Sequence, residues 1–146
     1  MYADRTQLAE ERKRTARKLL MVPVLGWFVL AAGGYFPTRS LAGDDGLRAM
    51  YLAQILVVAI VLATLLMAMR RMVGKSPADR FKAAMLAAGV RFLATGGLLT
   101  VVAWRGKVPV AAFLLWGAFA YLVMVLLEAI ALARWFRYLE SEKHAQ

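Results

Sequence analysis

The sequence contains no cysteine and a single histidine, and these absences exclude several kinds of functional site. Without cysteine there is no disulfide framework, no thiolate metal site and no cysteine nucleophile. The histidine, His144, is the third residue from the C-terminal end, where we interpret it as a solvated tail residue. No motif has catalytic or metal-ligand spacing, so we expect neither an enzyme nor a metal or cofactor site.

Acidic residues are also few, nine against nineteen lysines and arginines, which gives a formal net charge of +10. In a soluble protein this balance would suggest a nucleic-acid partner. Here nearly all the charges flank long apolar blocks, and hydrophobic residues make up 62% of the chain. A typical soluble domain is only about half apolar. The composition therefore predicts a membrane protein with no nucleic-acid partner.

Apolar blocks of this length predict membrane-spanning helices. About 20 apolar residues cross a hydrocarbon core, and in lipid a helix satisfies every backbone polar group within its own segment. The predicted spans cover residues 19–36, 49–69, 83–104 and 108–133. The sequence thus predicts an all-α protein with a basic cytoplasmic tail over 1–18, a four-helix transmembrane domain over 19–133 and a cytoplasmic tail over 134–146. The first block exceeds the length of a signal-peptide core, about 7 to 15 residues, so we interpret it as a span.

Basic residues indicate the orientation of these spans. Six lie in residues 1–18, five in 70–82 and three in 134–146. Because successive spans alternate in direction, these fourteen lie on one side of the membrane and four others lie on the opposite side. Short loops rich in Lys and Arg face the cytoplasm. We therefore expect both termini on the cytoplasmic side of the inner (plasma) membrane, in a multi-pass protein.

Local signals refine the second half of the chain. Ser76, Pro77 and Asp79 form an N-cap, a proline at the first helical position and an acidic capping box, so the third helix should begin near Pro77. The tight turn Arg105-Gly106-Lys107 predicts that helices three and four form an antiparallel hairpin.

Two charged residues, Arg91 and Glu128, lie inside predicted spans. A charge in mid-membrane costs about 2.5–3.5 kcal/mol on insertion scales, so it usually has a partner or a task. In an antiparallel hairpin the two would lie at similar depth and could pair within the subunit. Alternatively, Arg91 extends to the headgroups while Glu128 reaches water or Arg134. In a third interpretation one or both contact a partner subunit or an ion, with Gln54 of the second span as a further contact residue.

Small residues on the third helix predict a face for helix packing, because they let another helix approach closely. This face comprises Ala84, Ala88, Gly89, Thr95 and Gly96. Packing within the bundle and packing against a partner both remain open.

The layout also resembles a known family. The basic stretch Ala16-Arg17-Lys18-Leu19-Leu20, the basic middle loop and the run Gly89-Val90-Arg91-Phe92 are similar to the bacterial ATP synthase protein I family, over roughly residues 15–137. The resemblance implies an accessory protein of the F-type ATP synthase that helps to assemble the ring of c subunits; a magnesium or calcium uptake role has also been proposed for the family. Where the family would have an acidic residue and a lysine near this run, the chain has Arg91, with Glu128 on the next helix.

We therefore expect a non-catalytic membrane accessory protein that contacts the c subunit and membrane lipids. The alternative is a small transporter or flippase, for a cation such as magnesium or a lipid-linked substrate. It would act as a homo-oligomer, since four helices enclose little cavity. A membrane enzyme is the least expected, because the acidic residues are scattered.

Overall fold

The computed structural model describes residues 2–73, 75–106 and 108–144, and within them all regular structure is helical. The helices are α1 (Tyr2–Met72), α2 (Pro77–Trp104) and α3 (Val110–His144). Predictions concerning Lys107 and the side chain of His144 lie outside the described residues. The predicted start of α2 is confirmed: the Asp79 amide donates to Ser76 Oγ (3.2 Å), and Ser76 Oγ donates to Asp79 Oδ2 (2.8 Å).

The prediction of four transmembrane helices is wrong, because the first two predicted spans belong to one helix. α1 has 71 residues and includes both 19–36 and 49–69. Three described helices are long and apolar enough to cross a membrane: Ala9–Met72, Pro77–Trp104 and Val110–Glu140. These long apolar helices indicate a membrane-embedded protein.

The error arises at residues 37–48, which would have to form a loop if 19–36 and 49–69 were separate spans. Helix continues through Pro37 and is interrupted at Gly43, whose dihedral angles (φ 62°, ψ −158°) belong almost exclusively to glycine. Asp44 and Asp45 follow directly, where carboxylates interact favourably with the start of a helix. A single-residue bend therefore takes the place of the expected loop.

At this bend α1 folds back on itself, so its two arms, residues 2–42 and 44–72, pack side by side. Thr38 Oγ1 donates to Met50 Sδ (3.4 Å), close to the bend. Farther along, Leu30 packs in one cluster with Val57 and Val61. The fold-back brings the start of the first arm, the end of the second arm and the end of α3 to the same end of the bundle.

Helices α2 and α3 pack chiefly against α1 and contact each other least. They nevertheless keep the predicted antiparallel order: the turn at Arg105–Gly106 connects them, Arg91 contacts Glu128, and Leu99 lies beside Gly117. The core is divided into three clusters along the bundle axis.

The first cluster lies at the end shared by the chain termini and contains Leu19, Met72, Ala87, Ala131 and Trp135 among its buried residues. A second, middle cluster is built around Val57, Val61, Ala120 and Met124. The third, nearest the bend of α1, joins Ala49, Ala53 and Phe113.

Candidate functional site

The two charged residues inside the apolar helices form an ion pair with each other. Arg91 Nη1 of α2 contacts Glu128 Oε2 of α3, and their side chains are only 6% and 2% exposed. Arg91 lies one helical turn after Ala87, and Glu128 lies one turn before Ala131, both members of the first cluster. The pair therefore borders the first cluster on its inner side, toward the middle of the bundle.

This geometry corresponds to the first of the three interpretations, pairing within the subunit. Arg91 is buried, so it does not extend to the lipid headgroups, and Glu128 contacts Arg91. Arg91 Nε has no hydrogen-bond partner among the described residues. A buried pair offsets its desolvation only when its remaining donors and acceptors are satisfied. The pair connects α2 to α3 but is a weak source of stability.

Further buried polar groups have no hydrogen-bond partner in the described part of the chain, among them the indole N–H groups of Trp27 and Trp135. Two others are the amide of Gln54, which is fully buried, and the hydroxyl of Thr95, which is 3% exposed. Thr64 behaves differently, because its hydroxyl donates to the Ile60 carbonyl (2.9 Å). The structure brings Arg91 and Glu128 together, and it leaves Gln54 without a hydrogen bond to either of them.

The residues of the predicted packing face lie on two sides of α2. Ala84 packs against the first cluster, Ala88 is half-buried and Thr95 is buried, all on the side of Arg91. Gly89 and Gly96 are exposed, and a Cβ added at either would meet nothing within 4 Å. Ala84, Ala88 and Thr95 are separated from one another or from Arg91 by three or four residues, so they share one face of the helix. Gly89 and Gly96 are two turns apart and share a different face.

Beside these glycines, a groove of about 330 Å³ lies between α2 and α3. It is lined by Phe92, Thr95, Gly96, Leu99, Thr100, Leu114, Ala118 and Tyr121. The groove exists because α2 and α3 contact each other least. Its two threonine hydroxyl groups differ: Thr100 Oγ1 donates to the Gly96 carbonyl (2.8 Å), whereas Thr95 Oγ1 is unpartnered.

The sequence interpretation missed this groove and its α3 wall. Tyr121 contacts Phe92 across it, with ring centroids 6.3 Å apart. Gly97, next to Gly96, also faces open space. The seven-residue spacing of Gly89 and Gly96 indicates a common face, but whether this face is covered depends on how far α3 lies from α2.

Among the described residues there is no group of three or more His, Cys, Asp or Glu that could hold a metal ion. Comparisons with known proteins identify no relative of this chain. No family model matches it. No characterised protein matches it. No solved structure matches its fold. A functional proposal for this chain therefore depends on its own residues.

Proposed function

We propose that this chain is a non-catalytic accessory protein of the inner (plasma) membrane that binds another membrane protein, and that it assists assembly of the c ring of an F-type ATP synthase. The observation that carries this proposal is the open glycine face of α2, formed by Gly89, Gly96 and Gly97, next to the groove between α2 and α3. The resemblance of residues 15–137 to ATP synthase protein I supplies the partner.

The glycine face suits close contact with a partner helix. In membranes, helices associate through packing and hydrogen bonds rather than through the hydrophobic effect, and small residues allow their backbones to approach. In the most apolar stretches of α2 and α3 only 22% of residues are buried, half the 44% found in α1. A partner helix can therefore contact α2 without displacing any part of this chain.

The unpartnered hydroxyl of Thr95 favours a polypeptide over a lipid tail as the occupant of the groove. A buried hydroxyl without a hydrogen bond costs free energy, and an acyl chain offers it no partner. A rotor subunit has an ion-binding carboxylate in mid-membrane, which can accept a hydrogen bond from Thr95 once this buried side chain rotates toward the groove. Arg91 lies one turn away but is held by Glu128, so its contact with a partner, like that of Gln54, requires the pair to open.

Filling the glycine face tests the proposal. In Gly89→Leu/Gly96→Leu the new side chains enter open space, and Leu is the better helix former by roughly 0.8 kcal/mol per site. We expect several-fold less c ring on gels of membranes from cells in which the variant replaces the native protein. Gly33→Leu is the matched control, because Gly33 of α1 is exposed and equally open. Normal ring yield with the double variant would overturn the proposal.

Crosslinking identifies the partner directly, because the chain has no native cysteine. Thr100→Cys places one thiol at the edge of the groove, and Gly33→Cys places one on α1 as a control. We expect Thr100→Cys alone to crosslink to a c subunit. Crosslinks only to a second copy of the chain would contradict the proposal and favour the homo-oligomeric transporter.

A further inference from the structure

One end of the bundle carries a ring of exposed basic side chains, which we call the cationic rim. The rim consists of Arg17, Lys18, Arg70, Arg71, Arg134 and Arg137. Each lies within two positions of a buried member of the first cluster, namely Leu19, Met69, Met72 or Trp135. Because that cluster joins both arms of α1 to the end of α3, the six side chains surround one end of the molecule.

These charges are not neutralised within the described part of the protein. None of the six forms an ion pair with a described carboxylate, and Asp79 is occupied by Ser76 and Lys82. The opposite end of the bundle is nearly balanced. Its described charges include the exposed pair Arg48–Asp45 (3.6 Å), and Arg39 Nη1 donates to Tyr35 Oη (2.7 Å). Among the described residues, uncompensated positive charge is therefore concentrated at one end of the bundle.

We propose that the cationic rim binds the phosphate groups of anionic phospholipids. Guanidinium groups match phosphate geometry with two parallel hydrogen bonds, and five of the six rim residues are arginines. The rim borders the apolar outer surface of the helices, where lipid headgroups are present at high local concentration. Beside it the half-buried Tyr138 stacks on the buried Trp135 of the first cluster (ring centroids 5.4 Å apart), and tyrosine is common at the headgroup level.

A lipid headgroup, not a free phosphate ion, is the occupant that this location favours. A phospholipid brings its phosphate to the rim together with acyl chains that cover the adjacent apolar surface, whereas a free ion gains only the charge interaction. Each basic residue near an anionic membrane surface raises the binding constant by about fivefold. This inference is independent of the c-ring proposal, since it involves the end of the bundle and not the glycine face.

Native mass spectrometry of the full chain in neutral detergent tests the inference, with phosphatidylglycerol as the probe and phosphatidylcholine as the neutral lipid. The rim variant is Arg70→Gln/Arg134→Gln. The matched control, Arg39→Gln/Arg48→Gln, removes the same charge from the opposite end. All four side chains are exposed, so both variants should fold, which circular dichroism verifies. We expect phosphatidylglycerol binding to weaken about thirtyfold in the rim variant and to stay near the native level in the control.

Two outcomes would overturn the inference. Equal weakening in both variants would mean that net charge, not the rim, determines binding, and unchanged binding in the rim variant would exclude the rim as the site. A competition arm separates the two sources of phosphate. Inorganic phosphate at equal concentration should not displace phosphatidylglycerol, and full displacement would contradict the commitment to a lipid.

Discussion

Removing one member of the buried ion pair should destabilise the protein, and removing both should not. The informative single variant is Glu128→Leu, because it leaves Arg91 charged inside the bundle. A guanidinium stays charged in proteins, so the unpaired charge persists in this variant. The opposite single variant, Arg91→Met, is a less direct test, because an isolated buried carboxyl group is generally neutralised by protonation.

The magnitude follows from the burial of the two side chains, which are 6% and 2% exposed. Breaking a buried pair by removing one partner costs about 3–5 kcal/mol, because the other charge stays desolvated. Replacing both partners by apolar residues of similar volume is often neutral, or stabilising by about 1–4 kcal/mol. Since Arg91 Nε is already unsatisfied, we expect Arg91→Met/Glu128→Leu to be at least as stable as the native chain.

The assay is equilibrium unfolding of the purified protein in mixed micelles, followed by far-UV circular dichroism. Glu140→Leu is the control, because Glu140 is an exposed carboxylate on the same helix and its loss should change the free energy of unfolding by about 0.5 kcal/mol or less. Native-like stability of Glu128→Leu would refute the reasoning. So would a double variant as unstable as the single one, because the charge of Arg91 would then not be the cause.

The remaining predictions concern glycines of α1 and use thermal unfolding in the same micelles. Gly34→Ala should lower the free energy of unfolding by about 1–3 kcal/mol, because its Cβ would lie 2.6 Å from Trp116 Cη2 and 2.7 Å from Met50 Sδ. Gly33→Ala, which meets open space, should be neutral or stabilising, and equal losses at the two sites would contradict the packing of α1 against α3. Gly43→Ala should cost about 1–3 kcal/mol from backbone strain alone, and an unchanged melting temperature would argue against the bend.

The fold could be predicted in part from the apolar blocks and their caps. The start of α2 at Pro77 followed from Ser76 and Asp79, since capping is a local interaction. The connection near Gly43 could not be predicted in the same way. Gly43-Asp44-Asp45-Gly46 has the composition of a loop, and only packing of the two arms of α1 reduces it to a bend at one residue.

The candidate site, like the fold, could be predicted only in part from the sequence. The cost of burying a charge in an apolar helix is enough to single out Arg91 and Glu128 from the sequence. Which of the three interpretations applied depended on helix rotation, and the ion pair shows both side chains turned inward. The open face of Gly89 and Gly96 was harder to foresee, because exposure depends on the distance between α2 and α3.

By itself the sequence determined that the chain has apolar helical stretches long enough to span a membrane, basic flanks and two charges inside those stretches, because length, hydropathy and charge placement are local properties. Only the tertiary structure decided that α1 folds back at Gly43, that Arg91 and Glu128 meet, and that α2 keeps an open glycine face. Those features depend on which helix faces pack together. Apolar residues surround each helix of a membrane bundle, so hydrophobic periodicity gives little information about that choice.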